Sequence, residues 1–216
     1  DNYIPPPQGG DVYLNLDQNV QYIVEKALDD TMEQHHAKGA WCIVEKIKTG
    51  QILAMASRPS YNLNEFGKAS ENRMLNAAIG NVYEPGSTFK IVAISAALNE
   101  KTVKSETMFD AENGAWLYGG KVLHDYHAYK GNMTVADGVK KSSNIITAKT
   151  ALTLGSQKFY KYLKAYGLGQ KKGIDLPGEE CGILNPPSTW CSYGITRVAV
   201  GQGVAVTAVQ MISMYA

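Results

Sequence analysis

Tyr83-Glu84-Pro85-Gly86-Ser87-Thr88-Phe89-Lys90 leads directly into the apolar run Ile91-Val92-Ala93-Ile94-Ser95-Ala96-Ala97-Leu98. Pro85-Gly86 marks a turn, and the run beyond it predicts a helix from about Ser87 to Glu100 that is buried on nearly all sides. Side chains three apart on a helix share one face, so the Ser87 hydroxyl and the Lys90 amine can meet. A serine becomes a useful nucleophile only with a base in reach, and burial lowers a lysine pKa toward the range where it is a base. Ser87 also sits at the helix start, where free N–H groups favour a developing oxyanion. Ser87-x-x-Lys90 is the only Ser-x-x-Lys in the chain. The four residues by themselves more often mark a surface helix start; the apolar context gives them chemistry.

Working outward, residues 1–10 carry Pro5-Pro6-Pro7 and Gly9-Gly10 and predict a linker or extended arm. Residues 11–216 read as one domain. Asp17 predicts the N-cap of a helix over 18–36. Residues 40–47 and 51–57 predict a β-hairpin turning at Lys48-Thr49-Gly50. Residues 61–66 read as loop. Residues 101–130 read as irregular structure with short strands. Thr134-x-x-Asp137 predicts a short capped helix to Lys141, Asn144 a helix to Leu154, Ser156 a cap for a helix to Tyr166, and Thr207-x-x-Gln210 a capping box for the last helix. Residues 173–191 read as loop. Two strands alone rarely make a stable sheet, so strand partners are missing from this pattern.

The bulk numbers narrow the function. The 216 residues suffice for a sizeable core, and a net charge of +1 argues against a nucleic-acid partner. The longest apolar run, near eight residues, is far short of the roughly 20 needed to span a bilayer. Cys42 reads as a small hydrophobe, whereas Cys181 and Cys191 can be free or joined in a disulfide. His124-Asp125-Tyr126-His127 lacks further ligands at metal-binding spacing, and no metal or organic cofactor is expected.

Ser142-Ser143-Asn144 lies between two predicted helices, where capping alone would account for it. Paired with Ser87-x-x-Lys90, it resembles the motif set of the penicillin-recognising serine acyltransferases. The wider match is closer to class B penicillin-binding proteins, the cell-wall D,D-transpeptidases. It extends through Thr49-Gly50-Gln51-Ile52-Leu53-Ala54-Met55-Ala56-Ser57, Lys141-Ser142-Ser143-Asn144, Gly173-Ile174-Asp175-Leu176-Pro177-Gly178-Glu179 and Gly201-Gln202-Gly203-Val204-Ala205-Val206-Thr207.

The resemblance implies an α/β fold of the α+β type, the penicillin-binding/β-lactamase-like transpeptidase fold, mostly helical in this chain. It implies Ser87 as acylated nucleophile and Lys90 as its base. Ser142 would relay a proton between Lys90 and the leaving amine. Asn144 would orient Lys90 and bind the substrate amide. The implied substrates are peptidoglycan stem peptides ending in D-Ala-D-Ala, with β-lactams as inhibitors and a wall-synthesis glycosyltransferase complex as a partner. The implied location is the bacterial cell envelope, as the extracytoplasmic part of a membrane-anchored protein whose anchor lies outside this sequence.

The family's third motif, a Lys-Thr-Gly downstream of the second, is absent: Lys48-Thr49-Gly50 precedes Ser87 and reads as a hairpin turn. The expectation is therefore a transpeptidase domain, residues 11–216, lacking its last strands and impaired in activity. A lost oxyanion donor costs on the order of 10²–10³ in rate. A class D-like β-lactamase or β-lactam sensor, and a non-catalytic scaffold, are the alternatives.

Overall fold

The computed structural model describes residues 9–216, apart from the Asn72 side chain. The expected arm falls mostly outside these residues. Residues 9–16 are exposed and form no helix or strand. The chain divides into two compact units, one ending at Met74 and one running from Leu75 to Tyr215.

In the first unit, helix α1 spans Gln18–His35, and Asp17 caps it by accepting from the N–H groups of Asn19 (2.9 Å) and Val20 (3.1 Å). His36 ends it in the left-handed region at φ +49°. Strands β1 (Ala40–Lys46) and β2 (Gln51–Arg58) form the antiparallel hairpin, with Ile43 opposite Met55 and an irregularity at Val44/Glu45. Lys48-Thr49-Gly50 is its turn, closed by the Thr49 and Gly50 N–H groups on the Lys46 carbonyl, both at 2.9 Å. Alternation puts Ala54 and Ala56 on one face, where they pack under Val24 and Leu28 of α1. Gln21 fixes the helix to the strand, donating to the Met55 carbonyl (3.0 Å) and accepting from its N–H (2.9 Å). Residues 61–66, expected as loop, enter a 3₁₀ segment over Leu63–Lys68, followed by the one-turn helix α2 (Glu71–Met74).

The second unit is built around helix α4 (Lys90–Asn99), preceded by the short α3 (Ala77–Gly80). Three small antiparallel strand pairs exist among the described residues, two of them here. They join β3 (Met108–Asp110) to β6 (Asn132–Thr134), and β4 (Ala115–Tyr118) to β5 (Lys121–His124). Helices α5 (Val135–Lys140), α6 (Asn144–Leu154) and α7 (Ser156–Ala165) follow, then α8 (Gly194–Ala199) and α9 (Ala208–Tyr215). The core stacks Val92, Ala93, Ala96 and Ala97 of α4 with Ala151 of α6, Phe159 and Leu163 of α7, and Val198 and Ala199 of α8. The small residues of α4 lie among larger ones, Phe89, Phe159, Leu163, Leu168 and Met211, in one buried cluster.

Ser156 is not a cap: Gly155, at φ +72°, takes the cap position and Ser156 is the first helical residue. The Thr207–Gln210 capping box does form. The Thr207 N–H donates to Gln210 Oε1 (2.9 Å) and the Gln210 N–H to Thr207 Oγ1 (3.2 Å). The same buried glutamine donates from Nε2 to the carbonyls of Gln170 (2.8 Å) and Cys181 (2.9 Å), so the cap also fastens the 170–183 loop. Glu179, 5% exposed, draws that loop closed by accepting from the N–H groups of Lys172 and Gly173. Cys42, Cys181 and Cys191 are all free thiols; the disulfide option does not materialise.

Candidate active site

Ser87 lies in a 3₁₀ turn, Gly86–Phe89, that feeds α4, so the predicted helix starts as a tighter turn. The turn splits its side chains. Phe89 is fully buried in the core, which anchors the segment, while Ser87 is exposed at a cavity of about 210 Å³. Lys90, Ser142, Ile94 and Tyr215 line the same cavity. The Tyr215 hydroxyl donates to the Thr88 carbonyl, tying the last helix to the turn that carries Ser87.

That turn is also strapped by the 201–206 segment. Tyr83 and Val206 exchange backbone hydrogen bonds at 3.0 and 2.9 Å, and the Gly86 N–H donates to the Gly201 carbonyl at 3.1 Å. The Gly203 N–H donates to Glu84 Oε1 at 2.7 Å. Gly201, at φ +77°, passes so close to Gly86 that a Cβ would lie 2.3 Å from the Gly86 oxygen. Only glycine satisfies both the conformation and the space.

Lys90 is 7% exposed. Burial lowers its pKa from 10.5 to about 8, against the smaller opposing pull of the Asp125 carboxylate. Its ammonium does not bond to Ser87 in this structure. Instead Nζ donates to the Ser142 carbonyl (2.6 Å) and to Ser142 Oγ (3.0 Å). A lysine so held is poised to exchange a proton through the Ser142 hydroxyl.

Ser142 reaches Lys90 because of how α5 ends. The Ser142 N–H bonds the Val139 carbonyl (3.0 Å) and the Ser143 N–H the Gly138 carbonyl (2.8 Å), the Schellman pattern. The pattern puts Ser142 at φ +53°, a position usually held by glycine. The left-handed residue turns both its carbonyl and its hydroxyl onto Lys90.

Among the described residues Asn144 makes no hydrogen bond to Lys90; as the first residue of α6, it donates from Nδ2 to the carbonyl of His124, at the end of β5, at 2.7 Å. Sequence reasoning missed Asp125, which it weighed only as part of a metal cluster; among the described residues no His, Cys, Asp and Glu group forms such a cluster. Asp125 accepts from Ser143 Oγ (2.7 Å), the Asn144 N–H (2.5 Å) and the Ile145 N–H (3.0 Å). It thereby caps α6 and sets the Ser142-Ser143-Asn144 segment in place. The discoverable signal was a lone carboxylate in a polar aromatic loop before a helix that opens Ser-Ser-Asn.

The chain is similar to known proteins over nearly its whole length. The penicillin binding protein transpeptidase domain model matches residues 40–216. Stage V sporulation protein D of Bacillus subtilis is 36% identical over 218 residues, covering 99% of this chain and 33% of that protein. The probable peptidoglycan D,D-transpeptidase FtsI of Caulobacter vibrioides is 32% identical over 200 residues, covering 93% and 33%. The crystal structure of penicillin binding protein 3 from Mycobacterium tuberculosis complexed with aztreonam superposes at a TM-score of 0.86 and 30% identity, covering 93% of this chain and 45% of that one. The transpeptidase domain of Burkholderia pseudomallei penicillin-binding protein 3 superposes at 0.84 and 28% identity, covering 95% and 58%. The chain spans about a third of the length of these curated relatives.

Proposed function

The chain belongs to the penicillin-binding protein transpeptidase domain family, and from that premise we propose that it cross-links peptidoglycan stem peptides through a serine acyl-enzyme and is acylated by β-lactams. Ser87 Oγ attacks the carbonyl of the D-Ala-D-Ala amide, and the Ser87 proton passes to Lys90. Collapse of the tetrahedral adduct breaks the C–N bond, and the terminal D-Ala leaves as its nitrogen takes a proton by way of Ser142. An amine of a second stem peptide then attacks the Ser87 ester, giving the new amide and restoring the hydroxyl. Asn144 is assigned to the substrate amide. We read residues 11–216 as part of one transpeptidase domain, working in the cell envelope on the outer side of the membrane, beside the glycosyltransferase that makes the glycan strands.

The observation that carries this reading is the buried Lys90, with its pKa brought to about 8, 3.0 Å from Ser142 Oγ in the cavity that Ser87 opens onto. A base close to neutrality, a relay hydroxyl and an exposed serine at a helix start are the parts acyl transfer requires. The test is the intact mass of the protein after incubation with benzylpenicillin, beside Ser87→Ala. A stable adduct of one penicillin, lost in Ser87→Ala, is expected. A folded, full-length protein that takes no adduct would overturn the assignment. Rapid loss of the adduct by hydrolysis would favour a β-lactamase instead.

A further inference from the structure

A second cavity, about 410 Å³ in volume, opens between α8 and the loop that precedes it. Its lining shares no residue with the cavity at Ser87. Asn185, Trp190, Cys191, Tyr193, Arg197 and Gln202 contribute to its walls. Arg197 is the chemical centre. Its guanidinium stands 5.7 Å from the centroid of the Tyr193 ring, and Nη2 donates to the Val122 carbonyl at 2.8 Å. Those two contacts fix the planar group while leaving most of its donors unused. Among the described residues, no carboxylate pairs with Arg197. Glu84 approaches the rim only through its bond to the Gly203 N–H. The Asn185 and Gln202 side chains, both exposed, add amide donors to the same walls.

A half-buried arginine held by those two contacts, without an acidic partner, beside an aromatic ring and two amides, is built to receive a carboxylate on a small apolar body. We propose that this cavity is an accessory site for the free carboxylate of a stem peptide, separate from the place where Ser87 reacts. The identity of the peptide rests on the transpeptidase reading; the carboxylate chemistry does not. The site would also communicate with the nucleophile. Gln202 and Gly203 line it, and Gly201 beside them touches Gly86 in the turn that carries Ser87. An occupant would stiffen the strap that holds the nucleophile.

Cys191 supplies a local reporter. It is exposed, lies in the cavity wall and meets the Tyr193 hydroxyl, while Cys181, also exposed, lies outside it. The experiment follows alkylation of both thiols by iodoacetamide in the Ser87→Ala protein, with acetyl-D-alanyl-D-alanine or its C-terminal amide as the probe. The acid is expected to protect Cys191 and not Cys181, and the amide to protect neither. Asn185→Asp, an exposed and nearly isosteric change that adds a negative charge to the wall, is expected to weaken protection by about tenfold. Arg197→Gln is expected to abolish it in a protein whose circular dichroism is unchanged. Equal protection by acid and amide, or no protection by the acid at any soluble concentration, would overturn the proposal. So would protection that is indifferent to Asn185→Asp. Loss of benzylpenicillin acylation at Ser87 in the parent protein would instead bring down the transpeptidase reading, so the two failures are separable.

Discussion

Replacing Ser142 by glycine and by alanine separates what its backbone costs from what its hydroxyl does. Both variants lose the 3.0 Å bond from Lys90 Nζ to Oγ, and both keep the 2.6 Å bond to the carbonyl. They differ in the backbone at φ +53°. A Cβ in the left-handed region costs about 1–2 kcal/mol, which glycine escapes. Glycine gives back about 0.4–1 kcal/mol through the greater freedom of its unfolded chain. Ser142→Gly should therefore be more stable than Ser142→Ala by about 1 kcal/mol. For a chain of this size that is about 2–4 °C in Tm. Urea unfolding of the two variants gives the difference directly, as a shift in midpoint at equal slope. Their benzylpenicillin acylation rates should fall together, because the relay hydroxyl is gone in both. Alanine as stable as glycine would refute the reasoning. The Schellman turn would then not be strained at Ser142, and no stability would be forgone to keep a hydroxyl there.

Lys90→Met tests the buried charge. The folded pKa of about 8 lies below the ordinary 10.5, so the unfolded chain binds more protons between those values. Wild-type stability relative to Lys90→Met should rise between about pH 8 and 10.5, by on the order of 3 kcal/mol; a flat difference across that window would contradict it. Wild-type acylation should rise with pH through about 8, as the amine loses its proton. Asp125→Asn removes a cap of α6 and should cost about 1–2 kcal/mol. It also removes the charge that holds the Lys90 pKa up, so the acid limb of the acylation profile should move to lower pH; a shift upward would count against the assignment. Gly201→Ala drives a Cβ against the Gly86 oxygen in a left-handed backbone and should cost about 3 kcal/mol with loss of acylation. Gly203→Ala, left-handed at φ +70° but with nothing within 4 Å, should lose only about 1 kcal/mol. Equal penalties at the two glycines would rule out the close approach at Gly201.

The sequence spoke clearly where one local interaction decides an element. Asp17 before α1, Thr134 before α5 and the Thr207–Gln210 pair before α9 cap as their spacing predicts. Helices of one or two turns, α2, α3 and α8, escaped, because so few residues cannot display a periodicity and their shape comes from packing. Strand β6 is three residues long and exists only by pairing with β3. In the site, Ser87, Lys90 and Ser142 were legible as motifs, and the structure gathers them in one cavity. The partnership of Lys90 with Ser142 was legible only through the family resemblance, not from spacing. Spacing on one helix suggested Ser87, whereas Nζ bonds Ser142, 52 residues away. Asp125 was hidden for the same reason, since its three hydrogen bonds reach 18–20 residues along the chain.

The strap between Glu84 and Gly203 joins residues 119 apart in sequence. A contact of that span must close a long loop before it contributes any stability, so it is slow to form. The helix hairpins of the second unit can assemble from neighbours along the chain, whereas the turn that aims Ser87 must wait for residues near Val206. In a chain emerging from its amino end, the hydroxyl is made early and given its geometry late. The turn around Ser87 is thus among the last parts of the second unit to take its final shape.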